Sequence, residues 1–298
     1  MRNSQHSVLV TGASGGVGQA TVARLAAQGW RVFAGVRSLE AARRLNHGRS
    51  GIVPIELDIC DTTSIASARE DIAAAVGDRG LDALVNNAGL SVDGPLELLP
   101  VARMRTQFEV NVIGQLAVTQ AFLPLLLAAT GRIVNVGGAA GRLTLPLRGA
   151  LSASKAALDA ASDALRMELR HQSVCVSYIE PGALATELFV KSARLTRSED
   201  FAGTARDQAR YQTAIAESAK TTAKQKQTPV EQAAVAITRA LTARRPKARY
   251  VVGRDARYLL PFVRTLPTRL RDHVLMSSFG LTKKAFADAA VGRPQSVR

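Results

Sequence analysis

The sequence predicts an α/β fold, a single Rossmann-like, doubly wound parallel sheet of about seven strands with helices on both faces. Short apolar segments rich in Val and Ile alternate with longer segments of helical periodicity along the chain. A glycine-rich turn separates the first strand from the first helix. The 298 residues suffice for one large domain with a full core, so we predict a single domain over residues 1–298.

Each element is assigned from its local pattern. The predicted strands are residues 8–10, 31–36, 52–57, 81–85, 132–136, 174–179 and 250–252. The predicted helices are residues 18–28, a segment after Thr62, residues 101–127 with an interruption near Pro124, and residues 152–170. Because strands and helices alternate, the crossovers are βαβ units and the strands run parallel.

One segment breaks this alternation. Residues 187–227 are polar, charged and helix-permissive, and they exceed the length of an ordinary connection. We expect a lid insertion of one or two helices over a pocket; a surface loop is the alternative. Thr228 and Pro229 then predict a helix start, with Thr228 as its cap. Residues 254–298 are basic and apolar and predict a C-terminal extension of helices packed on the body.

Composition indicates the cellular setting. Cys60 and Cys175 are the two cysteines, so no disulfide framework is expected and a reducing cytoplasm is the expected location. Residues 1–7 are polar and predict no secretory leader. No apolar run approaches the roughly 18 residues of a membrane span, so we expect no stable membrane association.

The chain carries a formal charge of +15, with arginines concentrated after residue 238. A solvated basic surface explains this excess, and attraction of an anionic cofactor or substrate is the next explanation. No nucleic-acid motif accompanies the charge, so a nucleic-acid partner is not expected. The four histidines show no metal-ligand spacing, so no metal site is predicted.

The glycine-rich turn predicts a dinucleotide site. Gly12, Gly16 and Gly18, together with Ser14 and Val17, follow the first strand and open the first helix. Glycines there let the backbone approach a pyrophosphate, whose charge the helix N-terminus favours.

The end of the second strand predicts which dinucleotide is preferred. An acidic residue usually contacts the ribose 2′-hydroxyl of NAD at this point, whereas this chain has Arg37 and Ser38. A guanidinium pairs well with a 2′-phosphate, so NADP(H) is favoured over NAD(H).

Further motifs resemble the classical short-chain dehydrogenase/reductase family. They are residues 86–89 (Asn-Asn-Ala-Gly), Asn111, Lys155 and residues 180–186 (Glu-Pro-Gly-Ala-Leu-Ala-Thr). The resemblance spans residues 7–186 and weakens through the lid and the C-terminal extension. Relatives often associate through the helices at residues 101–127 and 152–170. The apolar positions of these helices suit a homo-oligomer and suit packing within one chain equally well, so both alternatives stay open.

The resemblance implies roles for individual residues. It implies that Lys155 hydrogen-bonds the nicotinamide ribose and that Asn111 anchors a water chain to Lys155. The remaining cofactor contacts that it implies are Asp58 and Ile59 at the adenine, Asn87, Ala88 and Gly89 along the groove, and Pro181, Gly182, Leu184 and Thr186 at the carboxamide.

The chain departs from the family where the proton is handled. Family members carry a tyrosine four residues before the lysine and a serine thirteen residues before that tyrosine; here these positions are Leu151 and Gly138. Neither side chain donates a proton. The replacement donors considered are Ser152, Ser154, Tyr178 and Tyr211. We expect the substrate site to be lined by Gly138, Leu151, Ser91 and Tyr211.

The retained cofactor motifs and the missing donors together suggest substrate-assisted chemistry. We hypothesise NADPH-dependent reduction of a carbonyl in an aromatic polyketide, an angucyclinone-type hydroxyketone or quinone of antibiotic biosynthesis, in which a neighbouring substrate hydroxyl supplies the proton. Two alternatives stay open: a catalytically silent NADP(H)-binding sensor or scaffold, and reduction of an activated C=C bond.

Overall fold

The computed structural model describes residues 5–38, 40, 50–186 and 201–281. Part of the predicted lid, residues 187–200, and the last part of the C-terminal extension, residues 282–298, lie outside the described residues.

Within the described ranges, seven strands form one parallel sheet in the order β3-β2-β1-β4-β5-β6-β7. The strands are β1 Ser7–Val10, β2 Arg31–Val36, β3 Ile52–Glu56, β4 Ala83–Asn86, β5 Arg132–Val136, β6 Cys175–Pro181 and β7 Arg249–Val252. The predicted doubly wound parallel sheet is confirmed. The strand order reverses direction between β1 and β4, and ligands of such sheets bind in the crevice at the carboxyl ends of the strands there.

The helices cover both faces of the sheet. They are α1 Gly16–Ala27, α2 Thr62–Val76, α3 Val101–Phe108, α4 Gly114–Ala128, α5 Gly149–Glu168, α6 Ala205–Lys224, α7 Val230–Thr242, α8 Leu260–Thr265 and α9 Thr268–Ser278. Strand residues alternate between the two cores: Val8 and Val10 pack on the side of α1 and α7, and Leu9 packs on the side of α2 and α4.

The predicted interruption near Pro124 is wrong. Helix α4 continues through Pro124 to Ala128. Proline removes only the N–H that would bond to the carbonyl of residue 120, and Gln120 is exposed, so water can satisfy that carbonyl. The irregularity lies earlier, where a π-helical turn at Glu109–Ile113 joins α3 to α4.

The stretch Val101–Ala128 is long and apolar enough to cross a membrane by length and composition alone. Val118, Phe122 and Leu126 are fully buried in the core between α4 and the sheet. Packing against the sheet therefore accounts for much of its apolar character.

Thr228 does not cap α7 as predicted. The helix begins at Val230, and Pro229 stands at the cap position. The backbone of Thr228 instead pairs with the loop after β6: its N–H donates to the carbonyl of Ala183 at 2.8 Å, and its carbonyl accepts from Ala185 at 2.9 Å. This pairing holds Thr228 in an extended segment.

The described part of the lid insertion contains α6. Thr204 and Asp207 cap this helix reciprocally. The insertion contacts the rest of the domain at two loops. Ala202, before α6, donates to the carbonyl of Leu98 in the loop before α3 at 2.8 Å. Arg148, in the loop before α5, donates to Thr222 Oγ1 of α6 at 3.2 Å. Phe279, after α9, packs beside α6 with Leu145 and Leu147.

A charged cluster joins β7, β6 and α5. Arg249 donates to Glu180 Oε2 at 3.0 Å and pairs with Asp159. Glu180 is 4% exposed, and Arg142 contacts it from the other side at 3.4 Å. The Arg249 guanidinium also stacks over the Tyr178 ring at 4.8 Å.

We expect Arg249→Met to lower the free energy of unfolding by about 2–3 kcal/mol, because it leaves the buried Glu180 carboxylate with one weak cation partner. Urea denaturation measures this change. Arg244→Met, in the exposed loop before β7, is the control and should change stability by less than about 0.5 kcal/mol. Equal effects of the two substitutions would show that the cluster does not stabilise the fold.

Candidate active site

The glycine-rich turn lies at the carboxyl end of β1 beside the loop after β4. Gly12 has φ +61°, and a Cβ there would lie 2.7 Å from Ala88 Cα. A Cβ on Gly18 would lie 2.3 Å from the Gly12 carbonyl oxygen. These two glycines are therefore required by close backbone approach, as well as by any ligand.

The first turn of α1 fits an anion. No side chain caps this turn, and it contains no acidic residue. A helix leaves its first N–H groups without intrahelical partners, and here they are those of Gly16, Val17 and Gly18. A Cβ on Gly16 would make only ordinary contact, at 3.5 Å from Val230. Open space and unpartnered donors are what a dinucleotide pyrophosphate needs.

Two side chains hold this turn against the next loop. Asn87 Nδ2 donates to the carbonyls of Thr11 and Gly12 at 3.0 and 3.1 Å. Thr11 Oγ1 accepts from the backbone N–H groups of Asn87 and Ala88, each at 3.0 Å. Asn87 and Ala88, predicted as cofactor contacts, thus also fix the shape of the groove.

Arg37 lies exposed directly after β2 with Ser38. The neighbouring loop after β3 contains Asp58, whose Oδ1 accepts from the Cys60 N–H at 2.9 Å, and the buried Ile59. Burial raises the pKa of Cys60, as do the charges of Asp58 and Glu109, and the Arg37 charge opposes them, so Arg37 lies within electrostatic range of this loop. The structure therefore brings the predicted adenine-end residues together.

Lys155 is anchored at the carboxyl end of β5. Its Nζ donates to the carbonyl of Val136 at 3.1 Å. Burial lowers its pKa from 10.5 to about 8. Asn111, in the π-helical turn, donates to the Leu90 carbonyl at 2.9 Å and to Ser154 Oγ at 3.1 Å. Its side chain and Lys155 both approach Gly89, and the water chain between them stays a prediction.

The two positions that lack a proton donor both adjoin Lys155. A Cβ on Gly138 would have Lys155 Cγ and the Pro181 carbonyl as its nearest neighbours, each at 3.9 Å. The backbone of Gly138 is extended, with φ 170°, so a side chain is permitted there. Leu151 lies one helical turn before Lys155 and is 5% exposed. Neither residue contributes a titratable group beside Lys155.

The two nearby serines are occupied by structural hydrogen bonds. Ser152 Oγ accepts from the Leu145 N–H at 3.2 Å. Ser154 Oγ donates to the Leu151 carbonyl at 2.9 Å and accepts from Asn111. The Ser154 proton is thus engaged by a backbone carbonyl, which argues against Ser154 as a replacement donor, whereas the buried Ser152 hydroxyl is held at the Leu145 backbone.

Tyr178 and Tyr211 are also held away from the role of proton donor. Tyr178 is buried beneath the loop after β5, where its hydroxyl donates to the Lys155 carbonyl at 3.2 Å and accepts from the Gly138 N–H at 3.3 Å. Burial raises its pKa far above the usual value. Tyr211, on α6, donates to Glu97 Oε2 at 2.7 Å.

Ser91, also predicted to line the substrate site, is buried and donates to Asp93 Oδ1 at 2.5 Å. Of the predicted substrate residues, the structure brings Gly138 and Leu151 to Lys155, whereas carboxylates engage the hydroxyls of Ser91 and Tyr211. Among the described residues, no group of three His, Cys, Asp or Glu side chains could hold a metal ion.

Sequence reasoning missed Asp255. Its Oδ2 accepts from the Ala183 N–H at 2.7 Å, and a Cβ on Gly182 would lie 2.1 Å from this carboxylate. Asp255 therefore fixes the loop of Pro181, Gly182, Leu184 and Thr186, which is predicted to hold the nicotinamide carboxamide. The sequence signal available for Asp255 was an acidic residue two positions after Gly253, at the end of the last strand.

The neighbouring Gly137 and Gly138 provide a matched test of how Tyr178 packs beneath the loop after β5. A Cβ on Gly137 would lie 1.8 Å from Tyr178 Oη, whereas a Cβ on Gly138 meets no atom closer than 3.9 Å. We expect Gly137→Ala to destabilise the protein by about 1–3 kcal/mol through overpacking, and Gly138→Ala to change stability little. Chemical denaturation compares the two variants. Equal stability of both would show that Tyr178 does not occupy this position.

Residues 6–196 match the short chain dehydrogenase family model. A 3-amino-tetrahydro-pyrrolizinone reductase from Xenorhabdus hominickii is 42% identical over 188 residues, which cover 63% of this chain and 65% of the reductase. An NADPH-dependent 3-dehydrocapnine reductase from Ornithobacterium rhinotracheale is 35% identical, over 85% of this chain and 92% of that protein.

The fold is shared with solved structures. A short chain dehydrogenase from Burkholderia cenocepacia in complex with NADP superimposes with a TM-score of 0.70 and 27% identity, covering 92% of this chain and 99% of that one. The chain belongs to the short chain dehydrogenase family of NAD(P)-dependent oxidoreductases.

Proposed function

We propose that the protein is an NADPH-dependent ketoreductase that acts on a carbonyl of an aromatic polyketide, an angucyclinone-type hydroxyketone or quinone. The substrate, rather than a protein side chain, supplies the proton. One observation carries this proposal: Lys155 is retained and anchored, while the two adjoining positions are the side-chain-free Gly138 and the apolar Leu151.

The cofactor residues support this activity. The first turn of α1 would hold the pyrophosphate, Arg37 the 2′-phosphate, and Lys155 the nicotinamide ribose. When bound, NADPH supplies the hydride that reduces the substrate carbonyl carbon. The loop after β6, fixed by Asp255, would orient the nicotinamide.

The missing donors impose a large kinetic penalty on a simple ketone. A positioned general acid contributes about 10²–10⁴ in rate, and an oxyanion donor about 10²–10³. Losing both raises the barrier by roughly 5–9 kcal/mol. Ser152, Ser154, Tyr178 and Tyr211 are each engaged elsewhere by hydrogen bonds. These bonds among the described residues favour a proton source other than these four side chains.

A substrate hydroxyl next to the ketone can be that source. As hydride adds to the carbonyl carbon, the carbonyl oxygen gains negative charge, and the neighbouring O–H transfers its proton to that oxygen. Water then returns a proton to the phenolate. Well-oriented groups on one molecule reach effective molarities of about 10⁵–10⁸ M, enough to offset the loss. The Lys155 ammonium adjoins this region and stabilises the developing charge.

The chemistry of the substrate follows from this requirement. A hydroxyl hydrogen-bonded to a ketone is common in polyphenols, and apolar Leu151 suits a flat aromatic ligand beneath the lid. The loss of both donors beside a retained lysine resembles the angucyclinone ketoreductase of simocyclinone biosynthesis. Antibiotic biosynthesis is therefore the proposed setting.

The proposed setting includes a cytoplasmic homo-oligomer. Exposed apolar side chains lie along the helices α3 to α5: Val101 and Met167 are each 61% exposed, and Ile113 in the π-helical turn is 53% exposed. Burying them against a second copy would remove this apolar surface from water.

The decisive experiment for the proton source compares a hydroxyketone with the ether in which the hydroxyl next to the ketone is methylated. We expect NADPH oxidation with the hydroxyketone and a loss of at least about 10³-fold in kcat with the ether, with the ether still bound. Gly138→Ser/Leu151→Tyr restores both donors and should reduce the ether. Equal turnover of the two ligands by the unaltered protein refutes substrate assistance.

The same assay separates the two alternative functions. If NADPH binds but no hydroxy-quinone causes its oxidation, the result favours a silent sensor or scaffold. A product with a reduced C=C bond favours reduction of an activated C=C bond.

Arg37→Asp tests the cofactor preference. We expect the KM for NADPH to rise about 10–100-fold while the KM for NADH changes little, because the carboxylate repels the 2′-phosphate that Arg37 attracted. Arg79→Asp makes the same charge change in the exposed turn after α2, at the opposite edge of the sheet, and controls for net charge. A similar loss with Arg79→Asp would remove Arg37 from the 2′-phosphate site.

The pH dependence of NADPH binding tests Lys155. Its pKa of about 8 means that the ammonium form dominates at pH 7 and is largely lost by pH 9. We expect the Kd for NADPH to rise through this interval, since the neutral amine attracts the anionic cofactor less. Lys155→Arg keeps its charge and should flatten the profile. An unchanged profile in Lys155→Arg would assign the titration to another group.

A further inference from the structure

Exposed apolar side chains are concentrated after β7. Tyr258, Leu259, Phe262 and Leu270 are 67%, 57%, 65% and 49% exposed, and we name these four residues the C-terminal patch. They lie within 13 positions of one another on the π-helical turn Asp255–Leu259 and on α8 and α9. Three of them, Tyr258, Leu259 and Phe262, line one surface depression, and exposed apolar surface of this kind often marks an interaction site.

The patch adjoins the candidate active site. Arg254, Asp255, Tyr258, Leu259 and Phe262 line a shallow, open depression of about 440 Å³. The Asp255 carboxylate in its wall accepts from Ala183, in the loop predicted to hold the nicotinamide. An occupant of the patch would therefore sit beside that loop.

The described segment that bears the patch, residues 254–281, is basic. It carries five arginines, which we name the arginine belt: Arg254, Arg257, Arg264, Arg269 and Arg271. Two acidic residues stand against them: Asp255, which accepts from the Ala183 N–H, and Asp272, 3.8 Å from Arg271. The segment therefore combines exposed apolar side chains with an excess of positive charge.

This combination selects among occupants. A second copy docked through the same patch would bring the two arginine belts together, which like-charge repulsion opposes. An anionic phospholipid surface satisfies both features, because acyl chains accept the apolar side chains and headgroups attract the arginines at about 1 kcal/mol each. We propose that the C-terminal patch docks the protein reversibly and peripherally on anionic membranes.

Docking would place the loop after β6, which Asp255 contacts, near the lipid surface. Flat aromatic and other apolar substrates partition into membranes, so the enzyme would meet them there. The patch inserts a few side chains and no spanning segment, so binding stays reversible.

Flotation with lipid vesicles tests the proposal. The full-length protein at 0.1 M NaCl should bind phosphatidylcholine vesicles containing 30% phosphatidylglycerol at least tenfold more than pure phosphatidylcholine vesicles. We expect Leu259→Ser/Phe262→Ser and Arg264→Glu/Arg269→Glu each to reduce binding at least fivefold. Arg244→Glu/Arg245→Glu makes the same charge change in the loop before β7, at the opposite end of that strand from the patch, and should reduce binding far less.

A spectroscopic readout separates insertion from electrostatic adsorption. Trp30 is the single tryptophan of the chain and is 7% exposed. Phe262→Trp places a probe in the patch, and its fluorescence should shift to shorter wavelength and be quenched by brominated acyl chains. Circular dichroism and thermal melting verify that each variant is folded.

The proposal is overturned by any of three results. The first is that the protein does not bind phosphatidylglycerol vesicles. The second is that the folded Leu259→Ser/Phe262→Ser variant binds them as well as the unaltered protein does. The third is that the protein forms a dimer instead of binding vesicles, and that the same variant disrupts this dimer.

Discussion

The hydrogen bond from Lys155 Nζ to the carbonyl of Val136 places a buried ammonium at the carboxyl edge of the sheet. It joins the end of β5 to α5 beside the point where the strand order reverses. The predicted phosphate turn lies on one side of this point and the loop after β6 on the other. Everything proposed for the site assumes that this amine holds the cofactor and faces the reacting carbonyl.

The surroundings of Lys155 are built from small residues and one large one. Tyr178 reaches under the loop after β5, and its hydroxyl joins the Gly138 N–H to the Lys155 carbonyl. Gly137 leaves room for that hydroxyl. A tyrosine is therefore present near the lysine, but it stabilises the loop from below. The hydroxyl of Tyr178 thus serves as a structural support, while Gly138 and Leu151, where the resemblance places proton donors, carry no titratable group.

The sequence predicted the elements whose signals are local. The strand from Arg31 to Val36 and the fully buried strand β1 follow from short apolar runs, whose signal lies within a few residues. The glycine-rich turn was placed correctly between β1 and α1 because its motif is local, and its role toward a phosphate stays a prediction. The roles of Lys155, Leu151 and Gly138 were expected from the family resemblance and also stay predictions.

The remaining features depend on contacts between distant residues. Asp255 meets Ala183 across 72 positions, and Thr228 pairs with the loop after β6 instead of capping α7. The break between α3 and α4 falls at Asn111, where side-chain bonds to Leu90 hold the π-helical turn, and not at Pro124. A pattern along one segment contains no signal for such pairings, so propensity alone misplaced them.

The source of the proton is best tested by a crystal structure of the ternary complex with NADP and a hydroxyketone. The account predicts that the reacting oxygen accepts a hydrogen bond of about 2.5–2.8 Å from the ligand's own hydroxyl, with no protein hydroxyl or imidazole within about 3.5 Å. A tyrosine, serine or histidine side chain bonded directly to that oxygen would contradict it.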